Sequence, residues 1–140
     1  MRRFRNDPDD EGSVLLLTLG YAVLAIAVVL LCADATSLYL SQKRLDSLAD
    51  AAALAGADGF TLVVVGDEPV ATLTDEGVRT QADSLLEAVG GGADVISAGT
   101  PDGVSARVTV ANTWHPPLLT LFVPDGVALQ STATSRTALR

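Results

Sequence analysis

The chain has 140 residues and a formal net charge of −8, enough for one small domain and a single membrane segment. Hydrophobic residues make up 49% of it, yet only three Phe, two Tyr and one Trp are present, so Ala, Val and Leu carry the apolar content and large core fillers are scarce. The acidity excludes a nucleic-acid binder, which needs clustered Lys and Arg. The single cysteine, Cys32, excludes an intrachain disulfide and a cysteine metal site.

From Ser13 to Ala33 the sequence reads SVLLLTLGYAVLAIAVVLLCA, without a charge. At 1.5 Å per residue such a helix is about 31 Å long, the thickness of a bilayer hydrocarbon core. A helix satisfies its own backbone there, and it predicts the lipid bilayer as this segment's surroundings. Arg2, Arg3 and Arg5 precede the run, and Lys43 and Arg44 follow it at a distance. Basic residues favour the cytoplasmic side and acids count little, so the expected topology is single-pass. Residues 1–12 are then inside and the C-terminal domain is extracytoplasmic. A cleaved secretory signal is the competing reading, with Ala33-Asp34-Ala35 as a small-x-small site and release after Ala35. The apolar run is longer than a signal's apolar core, and the helical pattern continues through that site.

Beyond Asp34 the segment ATSLYLSQKRLDSLADAAALAGA has no Pro, and no Gly before Gly56. Ala and Leu favour helix, so one helix is expected from about Ser13 to Ala55, with residues 34–57 as an outward extension. Leu38, Leu45, Leu48, Ala52 and Ala55 form its expected packing stripe. Asp46 and Asp50, four apart, share a face and read as a solvated polar surface. Gly56 and Gly59 mark the stop. A long helix, apolar first and amphipathic later, carrying a small domain at its end, has the shape of a pilin.

Residues 58–140 read as that small domain. Phe60–Val65 is expected to be a buried strand, and Gly66-Asp67-Glu68-Pro69 a turn. Thr72 or Thr74 caps a helix to about Val89, with Thr72 and Asp75 as a weak capping box. Its apolar face is Val78, Ala82, Leu85, Leu86 and Val89. Gly90-Gly91-Gly92 stops that helix; a phosphate loop would precede one. Asp94–Gly99 is a strand and Pro101-Asp102-Gly103 a turn. Val104, Ala106, Val108 and Val110 alternate with more polar residues as a half-buried strand. Leu118–Val123 is ambiguous between a helical turn and a strand. Val127–Leu139 is a last strand with Val127, Leu129 and Ala133 inward. The expected class is α+β: a long N-terminal transmembrane helix extending outward, then an antiparallel sheet with one packing helix.

Nothing in the sequence nominates catalysis. His115 is the sole histidine, and its neighbours Trp114, Pro116 and Pro117 suggest a loop. No HExxH, CxxC or GxSxG occurs, the acid pairs Asp9-Asp10, Asp67-Glu68 and Asp75-Glu76 fit turns or helix starts, and no calcium-loop signature is present. A non-enzyme without cofactor or metal is expected.

Several N-terminal features together resemble a known family. They are Glu11-Gly12-Ser13 before the apolar run, Asp34 at its end, Leu38-Tyr39, Arg44-Leu45, and the stretch Ala49-Asp50-Ala51-Ala52-Ala53-Leu54-Ala55-Gly56-Ala57. They resemble the TadE/TadG-like proteins of Flp (tight-adherence) pilus assembly over residues 11–57. The resemblance implies a pseudopilin or accessory component in a bacterial cytoplasmic membrane. It also implies pilus or secretion-system membrane proteins as partners, and association with like or unlike chains through the N-terminal helix. By the same resemblance Gly12-Ser13 would be the processing site. The fifth position after it is Leu17, where the family's prepilins carry Glu, so an uncleaved, anchored accessory is also expected. The remaining alternative is a bitopic envelope binding protein with no link to pili.

Overall fold

The structure, a computed structural model, describes residues 9–136; Arg2, Arg3, Arg5 and Leu139, singled out above, lie outside them. A single helix, α1 (Asp9–Asp58), runs for 50 residues, about 75 Å at the α-helical rise. No proline interrupts it, and Ala and Leu keep the intrinsic helical cost low throughout. It ends at Gly59, whose N–H donates to the Gly56 carbonyl at 3.2 Å.

The chain then forms a small hairpin, β1 (Thr61–Val65) and β2 (Glu68–Thr72), paired antiparallel from Thr61↔Thr72 to Val65↔Glu68. This corrects two expectations. The turn is confined to Gly66-Asp67, with Gly66 at φ +72°, while Glu68 and Pro69 belong to β2. Proline is tolerated because a two-stranded ribbon leaves its outer backbone positions unpaired. Strand β1 is also not buried: all five of its residues are exposed, because the ribbon stands apart from the main sheet.

Helix α2 (Asp75–Val89) starts at Thr74, whose Oγ1 accepts from the Gly77 N–H at 3.1 Å. Thr72 lies on β2, so no capping box forms with Asp75. Asp75 instead accepts from the Thr100 N–H at 2.7 Å and ties α2 to the end of the next strand. Asp75 and Glu76 also sit at the positive end of the helix dipole. The helix closes as the Gly90 N–H donates to the Leu86 carbonyl at 2.7 Å. The chain reverses through Gly91 and Gly92 at φ +55° and +92°, a region glycine adopts without a Cβ clash.

Three strands follow as an antiparallel meander: β3 (Asp94–Gly99), β4 (Ser105–Trp114) and β5 (Val127–Arg136), in the order β3-β4-β5. A bulge lies between Val95 and Ser97. Strands β4 and β5 pair continuously from Ser105↔Arg136 to Trp114↔Val127. One face of the sheet presents Ala106, Val108, Val110 and Ala133 to both helices. The opposite face is polar, with Thr109 and Thr132 hydroxyls 2.9 Å apart and Arg107 Nε donating to Thr134 Oγ1 at 3.3 Å.

The core joins Leu45, Ala49, Ala52, Ala53 and Ala57 of α1 to Val78, Ala82 and Leu86 of α2 and to those sheet residues. Its largest fully buried side chains are valines, which accounts for the scarcity of aromatics. Val104 and Val127, expected inward, are exposed: one precedes β4 and the other starts β5, beyond the cover of the helices. Val89, at the open end of α2, is exposed as well. The architecture is α+β: a long N-terminal apolar helix, then small antiparallel sheets with a second helix.

Candidate functional site: the apolar helix and its junction with the domain

Every residue from Gly12 to Val29 is exposed on α1, a largely aliphatic cylinder that no other described element covers. A water-exposed apolar surface of that extent opposes solubility, whereas in lipid it meets its match. Gly12 and Ser13 lie near the start of α1, both exposed, and a Cβ added at Gly12 would meet none of the described residues outside its own helical turn within 4 Å. Cys32 is exposed near the end of the same run.

The outer half of α1 is the central element of the domain core. Of the expected packing stripe, Leu45 and Ala52 are buried and Leu38, Leu48 and Ala55 are half-buried. Ala49, Ala53, Gly56 and Ala57 are also buried, which widens the stripe. The small residues allow close backbone approach. A Cβ at Gly56 would sit 2.8 Å from Val78 Cγ1 and 3.3 Å from Ala106 Cβ. The Ala-Asp-Ala-Ala-Ala-Leu-Ala-Gly-Ala stretch thus seats α1 against α2 and the sheet at once.

A ladder of polar bonds fixes the register between α1 and the β4–β5 hairpin. Ser131 Oγ donates to Asp46 Oδ1 at 2.8 Å, and Gln42 Nε2 donates to the same oxygen at 3.0 Å and to the Gln130 carbonyl at 3.1 Å. Lys43 Nζ lies 3.3 Å from Asp46 Oδ2. These donors, Ser131 foremost, hold the Asp46 carboxyl below its ordinary value. Asp50, one turn further along the same face, is exposed. Asp46 is therefore a clasp between helix and sheet.

Nearer the apolar run, the Trp114 indole N–H donates to Ser37 Oγ at 3.1 Å. Asp34 is 5% exposed, and its Oδ1 accepts from the Leu118 N–H at 3.2 Å. Its Oδ2 is buried and has no hydrogen-bond partner among the described residues. Sequence reading missed this role. The available signal was a lone acid between the charge-free run and Lys43, placed where a solvated side chain was the ordinary expectation. Residues 118–123 are neither helix nor strand but turns, with Phe122 and Val123 N–H groups donating to the Leu119 carbonyl.

The remaining candidates are dispersed. His115 is an exposed loop residue beside Trp114. An open groove of about 650 Å³ runs between α1 and the end of α2, lined by Leu40, Lys43, Arg44, Leu48, Val89 and Asn112 among others. Of its polar lining, Ser47 Oγ donates to the Lys43 carbonyl at 3.1 Å and Lys43 Nζ is engaged with Asp46. Among the described residues no group of three His, Cys, Asp or Glu side chains is placed to hold a metal ion. At the far end of the sheet, Asp102 accepts from the Ser105 and Val104 N–H groups and from Ser105 Oγ, which lowers its pKa. It is a turn-forming group, distant in sequence and fold from the helix junction.

Against known proteins, residues 12–59 match the family model described as putative Flp pilus-assembly TadE/G-like. The matched segment coincides with α1 and its terminating glycine. No curated protein and no solved structure matches the chain.

Proposed function

We propose that this chain is a membrane-anchored, non-catalytic, pseudopilin-like or accessory component of Flp/Tad-type pilus assembly or secretion. The observation that carries the reading is the coincidence of the family match with α1, whose residues Gly12–Val29 are all exposed and mostly aliphatic and whose second half is packed into the domain. Such a helix offers lipid and partner helices its apolar half and holds the acidic domain at a fixed distance outside. Arg2, Arg3 and Arg5 orient it with residues 1–12 in the cytoplasm. Partners are other pilus or secretion-system membrane proteins, met through the exposed half of the helix, where tight packing governs association in lipid.

Release after Ala35 is disfavoured on physical grounds. That cut falls inside α1 and removes Asp34, leaving the Leu118 N–H without its acceptor. Processing at Gly12-Ser13 would leave the entire junction intact, and we assign any maturation to that bond.

The test is deletion of the gene in its native host, with complementation by the wild-type chain and by a Leu24→Asp/Ala25→Asp variant. The reading expects loss of surface pili or of the associated secretion, restored by wild type alone. Unchanged piliation and secretion in the deletion strain would overturn it.

A further inference from the structure

We propose that the loop closing the β4–β5 hairpin, residues 115–126, dips its apolar tip into the outer interface of the bilayer and so sets the domain's tilt on the membrane. The inference rests on the membrane-anchor reading above.

The hairpin runs alongside α1 with its closed end toward the apolar run. Asp46 meets Ser131, Gln42 meets Gln130, Ser37 meets Trp114, and Asp34 meets Leu118. Each step toward the N-terminus of α1 is thus a step toward the hairpin tip. The last of these contacts falls on the residue that directly follows the charge-free run Ser13–Ala33. Leu30, one turn further in and on the same face as Asp34, is half-buried, whereas Gly12–Val29 are all exposed. Protein cover on α1 therefore ends within the apolar run.

The tip has the chemistry of that boundary. Pro116–Pro124 reads PPLLTLFVP and contains no charge. Leu121 is 95% exposed and Phe122 is 80% exposed, the highest values among the exposed large hydrophobics. Three residues span at most about 10 Å, so Leu121 cannot stray far from the level of Asp34. The headgroup zone there is roughly 5–7 Å deep on each side of the hydrocarbon core. Trp114, the sole tryptophan, stands at the same level, where indoles favour the interface. Continuity with the span selects lipid as the occupant: the same apolar surface simply extends from helix to loop. Asp34 then acts as the buried peg that holds the loop against the helix at this depth.

The experiment uses the full chain carrying Cys32→Ala, with single cysteines introduced as Leu121→Cys, Leu24→Cys or Glu76→Cys. Glu76 is exposed near the far end of the domain. Each is nitroxide-labelled and reconstituted in phosphatidylcholine vesicles. Collision with oxygen, which concentrates in lipid, is compared with collision with a water-soluble nickel complex. The expected oxygen-to-nickel ratio at position 121 is several-fold above that at 76 and approaches that at 24. A ratio at 121 equal to that at 76, with 24 in lipid, would overturn the proposal and leave the anchor standing. Shielding of 121 from both reagents would mean a protein contact there and would equally overturn it. An aqueous ratio at 24 would sink the anchor reading itself, and the loop proposal with it.

Discussion

At Gly56 α1 lies close against both α2 and the sheet, and Gly56→Ala measures that approach. The added methyl would lie 2.8 Å from Val78 Cγ1, where relaxed carbon contacts are about 3.5–4.0 Å. Val78 is wholly buried, and the same methyl faces Ala106 Cβ at 3.3 Å, so neither neighbour can retreat freely. Overpacking of this kind costs about 1–3 kcal/mol. Alanine is favoured over glycine in a helix interior by about 0.8–1 kcal/mol, which offsets part of it. The net expectation is destabilisation of roughly 1 kcal/mol, and a Tm lower by about 4–8 °C for a domain of this size class. The assay is thermal unfolding of the full chain in detergent, followed by near-ultraviolet circular dichroism of Trp114. Gly20→Ala is the control, since a Cβ added at Gly20 meets no described neighbour within 4 Å, and it should leave the domain's Tm unchanged. A Gly56→Ala protein more stable than wild type by the helix-propensity difference would refute the packing described for α1.

Three further outcomes are expected. Asp34→Ala removes the acceptor of the Leu118 N–H, a loss worth about 1–3 kcal/mol locally. Hydrogen exchange at Leu118 should accelerate by roughly one to two orders of magnitude, while Asp34→Asn, which keeps an oxygen acceptor, should retain most of the protection. Leu24→Asp with Ala25→Asp places two acids mid-span at about 2.5–3.5 kcal/mol each; the chain should leave the carbonate-washed membrane fraction, and full retention would count against the span. Asp46 and Asp102 are both held below the ordinary aspartate value of 3.8 by hydrogen bonds, chiefly from Ser131 and Ser105. Carboxyls with depressed folded-state pKa values contribute stability above their unfolded pKa and lose it as pH falls through the folded value. Urea midpoints should therefore drop below pH 3.8, and Ser105→Ala with Ser131→Ala should flatten that acid slope.

The long helix was legible because its signals are redundant: a charge-free run, then an Ala- and Leu-rich segment with no breaker, then glycines. Helix α2 and strands β3 and β4 were legible from periodicity bounded by Gly and Pro. Phe60–Val65 misled because a continuous β-branched run looks the same whether it enters a core or an exposed ribbon; only the tertiary placement of the hairpin decides it. Glu68-Pro69 read as a turn because proline usually punctuates a strand, whereas here Pro69 stands opposite Val64 in a two-stranded ribbon whose outer edges carry no further strand. Half of the α1 packing face escaped because alanine carries little hydrophobic signal; Ala49, Ala53 and Ala57 are buried for their smallness. Asp34 escaped for a different reason. Its partner is a backbone N–H in a loop 84 positions away, which no local pattern announces.

In the mature protein α1 is expected to be retained as one helix from the bilayer into the domain. The intact mass of the native protein, taken from carbonate-washed membranes and from the soluble fraction of its host, tests this most directly. The expected result is a membrane species whose mass includes Ser13–Ala33, whether it begins at Ser13 or earlier. A soluble species beginning at Thr36 would contradict it, since the apolar run and Asp34 would both be gone.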